Sequence, residues 1–234
     1  MRVFFAGLWL SALSLSLVHP ASAQSRDSDF CAPAISAVPR IYPAEALSAL
    51  HEDGTGLIVG DSIAAYWQVG LEPILGSNVV NLGFPQDQPG NVLWRLDKIE
   101  GRRHWIRALI IAGVNSSWKS KRCDVASGIE SIVAKVRSLS PQAQILVMAV
   151  LPHGPSLQSS LPFVDPINAS LKADALNKGF IFVDPSPVFL ANCENKPSCP
   201  LLKMPGWLHP TQQGYDVMAR AAQKAISLSN SISK

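Results

Sequence analysis

Short, nearly continuous apolar runs recur along the chain from residue 57 onwards, and each one ends at a glycine, a proline or an aspartate. Five runs predict β-strands over residues 57–59, 78–82, 108–112, 145–150 and 180–183. Runs that stay apolar, instead of alternating with polar residues, are typical of parallel strands buried on both faces of a sheet.

The segments between these runs carry the spacing of amphipathic helices. Helices are predicted over residues 43–51, 92–99, 125–139 and 167–177, with a last one after Thr211, which can cap it. In the third helix the apolar residues that share one face are Ile129, Ile132, Val133 and Val136.

The regular alternation of strands and helices predicts the fold class. Strand–helix–strand units form right-handed crossovers and place helices on both faces of a parallel sheet. We therefore expect a three-layer α/β/α sandwich around a five-stranded parallel sheet. No repeat or linker interrupts the pattern, so residues 24–234 are predicted to form one domain.

The N-terminus predicts export. Arg2, an apolar stretch over residues 3–18 and the small-residue site Ala21-Ser22-Ala23 are typical of a signal peptide covering residues 1–23. A buried N-terminal helix is the alternative. No later apolar run is long enough to span a membrane, so a soluble protein of the bacterial periplasm or exterior is expected.

Composition and charge exclude several classes of protein. Among the 234 residues 47% are hydrophobic and 16% are charged, which is unlike a disordered chain. The net charge of +3 comes from basic and acidic residues that are mixed along the chain, so a nucleic-acid partner is not expected.

Four cysteines in an exported chain indicate disulfide bonds. Three pairings of Cys31, Cys123, Cys193 and Cys199 can be drawn. Only five residues separate Cys193 from Cys199, which favours a local bond between them, and Cys31 with Cys123 follows by elimination. A zinc site is disfavoured because no C-x-x-C pair is present.

Polar residues collect where the predicted strands end. Gly60-Asp61-Ser62, Asn81-Leu82-Gly83 and Gly113-Val114-Asn115 follow the first three strands, and His209 precedes the last helix. Ligands of open parallel sheets bind beyond the carboxyl ends of the strands. A serine nucleophile, a glycine N–H and an asparagine amide at an oxyanion, and a histidine base can combine there into an acyl-transfer site.

These four blocks, in this order, resemble the SGNH (GDSL-type) esterase family. The run from Asn81 to Leu96 is also similar, without a gap, to platelet-activating-factor acetylhydrolase-like members. The resemblance implies a flavodoxin-like SGNH hydrolase fold with Ser62 as nucleophile and His209 as base. The oxyanion hole it implies consists of the N–H groups of Ser62 and Gly83 and the side chain of Asn115.

The sequence departs from the family pattern near the histidine. The family commonly has an aspartate three residues earlier, where this chain has Gly206, and Ser116 also replaces an acid or amide. The carbonyl of Gly206 is predicted to orient His209 instead. In the alternative interpretation, Ser62 is only a helix cap and Asn115 only a turn residue.

The resemblance implies an exported serine esterase that removes a small acyl group, most simply acetyl, from a carbohydrate or other small ester. Neither a metal nor a cofactor is expected. Lysophospholipase or thioesterase activity, acetyl transfer to a polysaccharide and a non-catalytic binding protein are the alternatives. The acyl length and the oligomeric state stay open.

Overall fold

The computed structural model describes residues 37–117, 122–194, 196 and 198–232, apart from the side chains of residues 122, 123 and 232. All of these residues belong to one compact unit, residues 31–234. The signal peptide predicted for residues 1–23 and the disulfide predicted between Cys31 and Cys123 lie outside this description.

Five parallel strands form one sheet in the order β2-β1-β3-β4-β5. Their bounds are β1 Gly56–Gly60, β2 Val79–Gly83, β3 Arg107–Ile111, β4 Gln144–Met148 and β5 Ile181–Val183. The order reverses at β1, which lies between β2 and β3. The carboxyl ends of these three strands therefore lie side by side at the topological switch point, where ligands of such sheets bind.

Helices connect the strands and cover the sheet. They are α1 Ala44–Ser48, α2 Ser62–Ala65, α3 Glu72–Leu75, α4 Pro89–Leu96, α5 Arg122–Leu139, α6 Leu161–Lys178, α7 Ser186–Cys193 and α8 Gln212–Ile232. Helix α5 packs between α4 and α6 in one layer, while α3 contacts α8. Right-handed crossovers place these two groups on opposite faces of the sheet, which confirms the predicted α/β/α sandwich.

The predicted strands are all present, with ends that differ by one or two residues. The run over residues 145–150 becomes β4 but stops at Met148, because the side-chain amide of Asn168 binds both the N–H and the C=O of Val150, at 2.8 and 2.9 Å. That side chain takes the place of a neighbouring strand.

The predicted helices are also found, and several are longer than their apolar pattern. Helix α6 begins six residues before the predicted start, and Pro166 lies within it. The hydroxyl of Thr211 accepts a hydrogen bond from the N–H of Gly214 at 3.2 Å and so caps α8 as predicted. The structure adds three short helices that the sequence pattern does not indicate, namely α2, α3 and α7, with four, four and eight residues.

The core lies on both sides of the sheet. Leu57, Ile58 and Val59 of β1 are fully buried, as expected for the inner strand of a covered parallel sheet. The four apolar residues predicted on the inner face of α5 are at most 2% exposed. None of the described helices is both long and apolar enough to cross a membrane.

Candidate active site

Ser62 lies at a sharp turn between β1 and α2. Gly60 ends β1 with φ +151°, and a Cβ at this position would come within 1.6 Å of the carbonyl oxygen of Ile111, so only glycine fits. The carboxyl group of Asp61 then caps α2 by accepting from the N–H of Ile63 at 2.9 Å. Ser62 is therefore the first residue of a helix at the carboxyl end of the central strands.

His209 reaches Ser62 from the loop before α8. Its Nε2 lies 2.9 Å from the Ser62 Oγ, a hydrogen-bond distance. The loop is held by an isolated antiparallel bridge between Leu202 and Pro210 and by a 2.8 Å hydrogen bond from the N–H of Lys203 to the His209 carbonyl. Two residues that are 147 positions apart in sequence thus meet as a nucleophile and base would.

The disulfide between Cys193 and Cys199 is present, as predicted. It joins the end of α7 to the segment that leads into the His209 loop, and both cysteines are buried. On the far side of the loop, the N–H of Thr211 donates to the carbonyl of Leu201 at 2.9 Å. The loop is therefore fixed at both ends.

The surroundings of His209 favour its neutral form. Burial lowers the pKa of His209 below its usual 6.5, and the positive charge of Lys203 lowers it further. Within the described parts of the chain, neither the Gly206 carbonyl nor any carboxylate accepts a hydrogen bond from the His209 Nδ1. The orienting role of the Gly206 carbonyl therefore stays a prediction.

Asn115 lies in the loop that follows β3. Its Nδ2 donates one hydrogen bond to the main-chain carbonyl of Asp87 at 2.9 Å. An amide nitrogen carries two hydrogens, so the second N–H is left to bind a ligand. The contact brings the loop after β3 against the turn that follows β2.

Gly83 is at the end of β2, but its N–H is already engaged. It donates to the Oδ1 of Asn81 at 2.9 Å. A Cβ at Gly83 would lie 2.2 Å from the backbone nitrogen of Ala65, so glycine is required here for the close packing of β2 on α2. The structure brings Gly83 beside the helix that begins at Ser62 without leaving the Gly83 N–H free.

The turn just after Gly83 offers another N–H. Asp87 donates its N–H to the carbonyl of Phe84 at 3.3 Å, Pro85 is the second residue and Gln86, the third, has φ +65°. This is a type II turn, whose third residue is usually glycine. Gln86 is exposed, and its N–H has no acceptor among the described residues. Sequence reasoning missed Gln86: the proline signals a turn, but glutamine does not signal a positive φ.

A buried ion pair between Arg95 and Asp87 holds this turn. The Arg95 guanidinium binds the Asp87 Oδ2 through Nε and Nη2, at 2.9 and 2.7 Å. It also donates to the carbonyls of Leu82 and Gly60, at 2.7 and 3.3 Å. Arg95 therefore ties together the ends of β1 and β2. Both side chains therefore act on the backbone of the site.

Asp61 is a second buried carboxyl group at this edge. Its Oδ2 has no hydrogen-bond partner in the part of the chain that the structure describes. Burial, chiefly, raises the pKa of Asp61 from 3.8 to about 7, and the charge of Asp87 adds to this effect. Within the described ranges, no cluster of three His, Cys, Asp or Glu side chains could hold a metal ion.

The chain is similar in sequence to proteins of one family. The model of the GDSL-like lipase/acylhydrolase family matches residues 53–217. The human platelet-activating factor acetylhydrolase IB subunit alpha2 is 31% identical over 101 residues, which cover 42% of this chain and 44% of that protein. The aligned region thus spans less than half the length of this curated relative.

Solved structures share the fold at low identity. A member of the lipolytic G-D-S-L family from Veillonella parvula superimposes with a TM-score of 0.58 at 16% identity, covering 72% of this chain and 95% of that one. An acetylxylan esterase from Geobacillus stearothermophilus gives 0.57 at 19% identity, covering 74% and 95%. Since the family model extends from before β1 into α8, the chain belongs to the GDSL-like lipase/acylhydrolase family.

Proposed function

We propose that the protein is a serine ester hydrolase with Ser62 as nucleophile and His209 as general base. The observation that carries this proposal is the 2.9 Å contact between Ser62 Oγ and His209 Nε2 at the switch point of the sheet. Ser62 attacks the ester carbonyl while His209 takes its proton and then gives it to the leaving alcohol. Water, deprotonated by His209, releases the acyl group and Ser62 regains its proton.

Three donors around Ser62 can stabilise the oxyanion. The N–H of Ser62 has no acceptor within its helix because it is the first helical residue. Asn115 contributes its second side-chain hydrogen. The third donor in this proposal is the N–H of Gln86, because the N–H of Gly83 is engaged by Asn81. The strand order β2-β1-β3 supports the arrangement, because Ser62 follows the middle strand while the turn with Gln86 and the loop with Asn115 follow the strands on its two sides.

The proposed substrate is a small ester, most simply an acetyl ester on a carbohydrate, outside the cytoplasm. Similarity to a platelet-activating factor acetylhydrolase and the fold shared with an acetylxylan esterase both support an acetyl group. The disulfide between Cys193 and Cys199 supports an oxidising compartment, in line with the export expected from residues 1–23.

Hydrolysis of an activated acetate ester tests the activity. Wild type should release the alcohol, and Ser62→Ala and His209→Ala should not. Ser138→Ala is a matched control, because that exposed hydroxyl donates to the carbonyl of Lys135 within α5. A fluorophosphonate should label wild type and fail to label Ser62→Ala. A folded wild type without turnover or labelling would point to a binding protein and refute the proposal.

The oxyanion hole and the substrate class need separate tests. Asn115→Ala should lower kcat by roughly 10²–10³-fold, the usual cost of one oxyanion donor. Rates with acetyl, butyryl and octanoyl esters then separate an acetylesterase from a lysophospholipase or thioesterase. Analysis of products formed with acetylated and free oligosaccharides separates hydrolysis from acetyl transfer.

A further inference from the structure

We propose that Arg40 is a positioning residue that fixes the Pro85–Gln86 peptide group and keeps the Gln86 N–H directed into the oxyanion hole. The inference rests on the proposed function, which makes that N–H a donor. It assigns a catalytic purpose to the segment before α1, a part of the chain that lies outside the residues matched by the family model.

The segment of residues 37–42 is bound along the turn and along α4. The N–H of Val38 donates to the carbonyl of Gly90 at 2.9 Å, and the side chain of Asn91 donates back to the Val38 carbonyl at 3.1 Å. These two bonds set the path of the segment. They bring Arg40 to the turn of residues 84–87.

Arg40 holds the turn on both sides of Gln86. Its Nη1 donates to the carbonyl oxygen of Pro85 at 2.8 Å and to the Oδ1 of Asp87 at 2.9 Å. The hydroxyl of Tyr42 donates to the same Oδ1 at 2.9 Å. Since Arg95 binds the other oxygen, the Asp87 carboxylate is a fixed anchor for Arg40.

The bond to Pro85 sets the direction of the Gln86 N–H. In a trans peptide group the C=O and the following N–H point in opposite directions. The Pro85 carbonyl and the Gln86 N–H belong to one such group, so a guanidinium bound to the carbonyl keeps the N–H pointing away from Arg40.

The opposite orientation is the one that a glutamine prefers. Rotating the central peptide group converts a type II turn into type I and moves the third residue from positive to negative φ. For a residue other than glycine the positive φ is disfavoured by roughly tenfold. In this structure Gln86 nevertheless has φ +65°, and the contact of Arg40 with the Pro85 carbonyl is available only in that orientation.

The first test compares Arg40→Met with a matched arginine. Methionine keeps an apolar chain against the rings of Tyr42 and Phe84, over which the guanidinium lies at 5.7 and 5.1 Å. Arg137→Met is the control, because that guanidinium also binds main-chain carbonyls but does so between α5 and the loop before β4. We expect kcat of Arg40→Met to fall about tenfold or more with KM within about twofold, since one oxyanion donor is misdirected. Arg137→Met should keep the wild-type kcat.

The second test asks whether the loss comes from the backbone of Gln86. Adding Gln86→Gly to Arg40→Met should restore most of the lost kcat, because glycine after proline favours the type II turn without help. Arg40→Lys keeps a positively charged donor nitrogen and should have an intermediate kcat. If Arg40→Met does not fold, Arg40→Lys takes its place in both comparisons. A kcat equal to that of Arg137→Met, or no recovery on adding Gln86→Gly, would overturn the inference.

A readout without turnover separates this inference from the proposed function. The amide signal of Gln86 in a ¹⁵N–¹H correlation spectrum should shift or split in Arg40→Met and stay in place in Arg137→Met. If wild type hydrolyses no ester, the proposed function fails and the signal still decides whether Arg40 fixes the peptide group. An unchanged Gln86 signal in Arg40→Met refutes the positioning role.

Discussion

Replacement of Asp61 by asparagine should stabilise the protein at neutral and alkaline pH. The Asp61 carboxyl is fully buried, and its Oδ1 accepts one hydrogen bond, from Ile63, that an asparagine oxygen can also accept. Asparagine resembles the protonated carboxyl and does not titrate. The variant therefore removes the cost of a buried negative charge and keeps the helix cap.

The magnitude follows from the pKa. Burial raises the pKa of Asp61 from 3.8 to about 7, so between these pH values the unfolded chain is ionised while the native chain holds a proton. A native state that binds more protons becomes less stable as pH rises. A pKa difference of about 3 corresponds to about 4 kcal/mol, and relaxation around the charged group reduces it, so we expect about 1–4 kcal/mol at pH 8.

Urea unfolding of wild type and Asp61→Asn at several values from pH 4 to pH 8 measures this effect. The difference in free energy of unfolding should be smallest at pH 4, where native Asp61 is protonated and unfolded Asp61 is only partly ionised, and should grow up to about pH 7. Asp216→Asn gives the background, because that aspartate is exposed on α8. A difference that is constant across this range would refute the reasoning, since it would mean that Asp61 titrates alike in both states.

Three further predictions concern the proposed base, His209, and its loop. Lys203→Met should move the acidic limb of the kcat/KM profile to higher pH, because the Lys203 charge lowers the pKa of His209; an unmoved limb would count against that coupling. Gly206→Asp should keep or raise turnover, since a Cβ there meets no atom within 4 Å, and inactivity of a folded variant would contradict it. Replacing Cys193 and Cys199 by serine should cost about 2 kcal/mol of unfolding free energy in the chain-entropy model, and thermal unfolding at an unchanged temperature would exclude that contribution.

The fold could be predicted because each strand is a buried apolar run. The strand starting near Leu57 is apolar on both faces, which only a covered parallel strand requires, and Gly60 marks its end. The ends of strands are harder to predict, because they depend on side chains that are distant in sequence. Asn168 ends β4 from within α6, and no pattern local to residues 145–150 announces that contact.

The proposed nucleophile and base can be predicted for a similar reason: their chemistry lies in their side chains. Serine after a strand and histidine before the last helix keep their identity in the sequence, and the sheet topology predicts that they share one edge. The structure places Ser62 and His209 2.9 Å apart there. What orients His209 is harder to predict, because a main-chain carbonyl leaves no mark on the residue that supplies it.

The same reasoning explains why the sequence predicts Gly83 as a donor and does not indicate Gln86. A glycine after a strand suggests a backbone N–H that a ligand can approach, yet at Gly83 the missing side chain makes room for α2. In the turn that follows, the N–H of Gln86 has no acceptor among the described residues, and Gln86 has a positive φ. Two contacts hold this turn: Arg95 binds Asp87, and Arg40 binds the Pro85 carbonyl. A donor set of this kind depends on the direction of a peptide group. That direction depends on the residues that bind the turn. A sequence signal for such a donor is therefore to be sought in Arg40 and Arg95, and not in Gln86 itself.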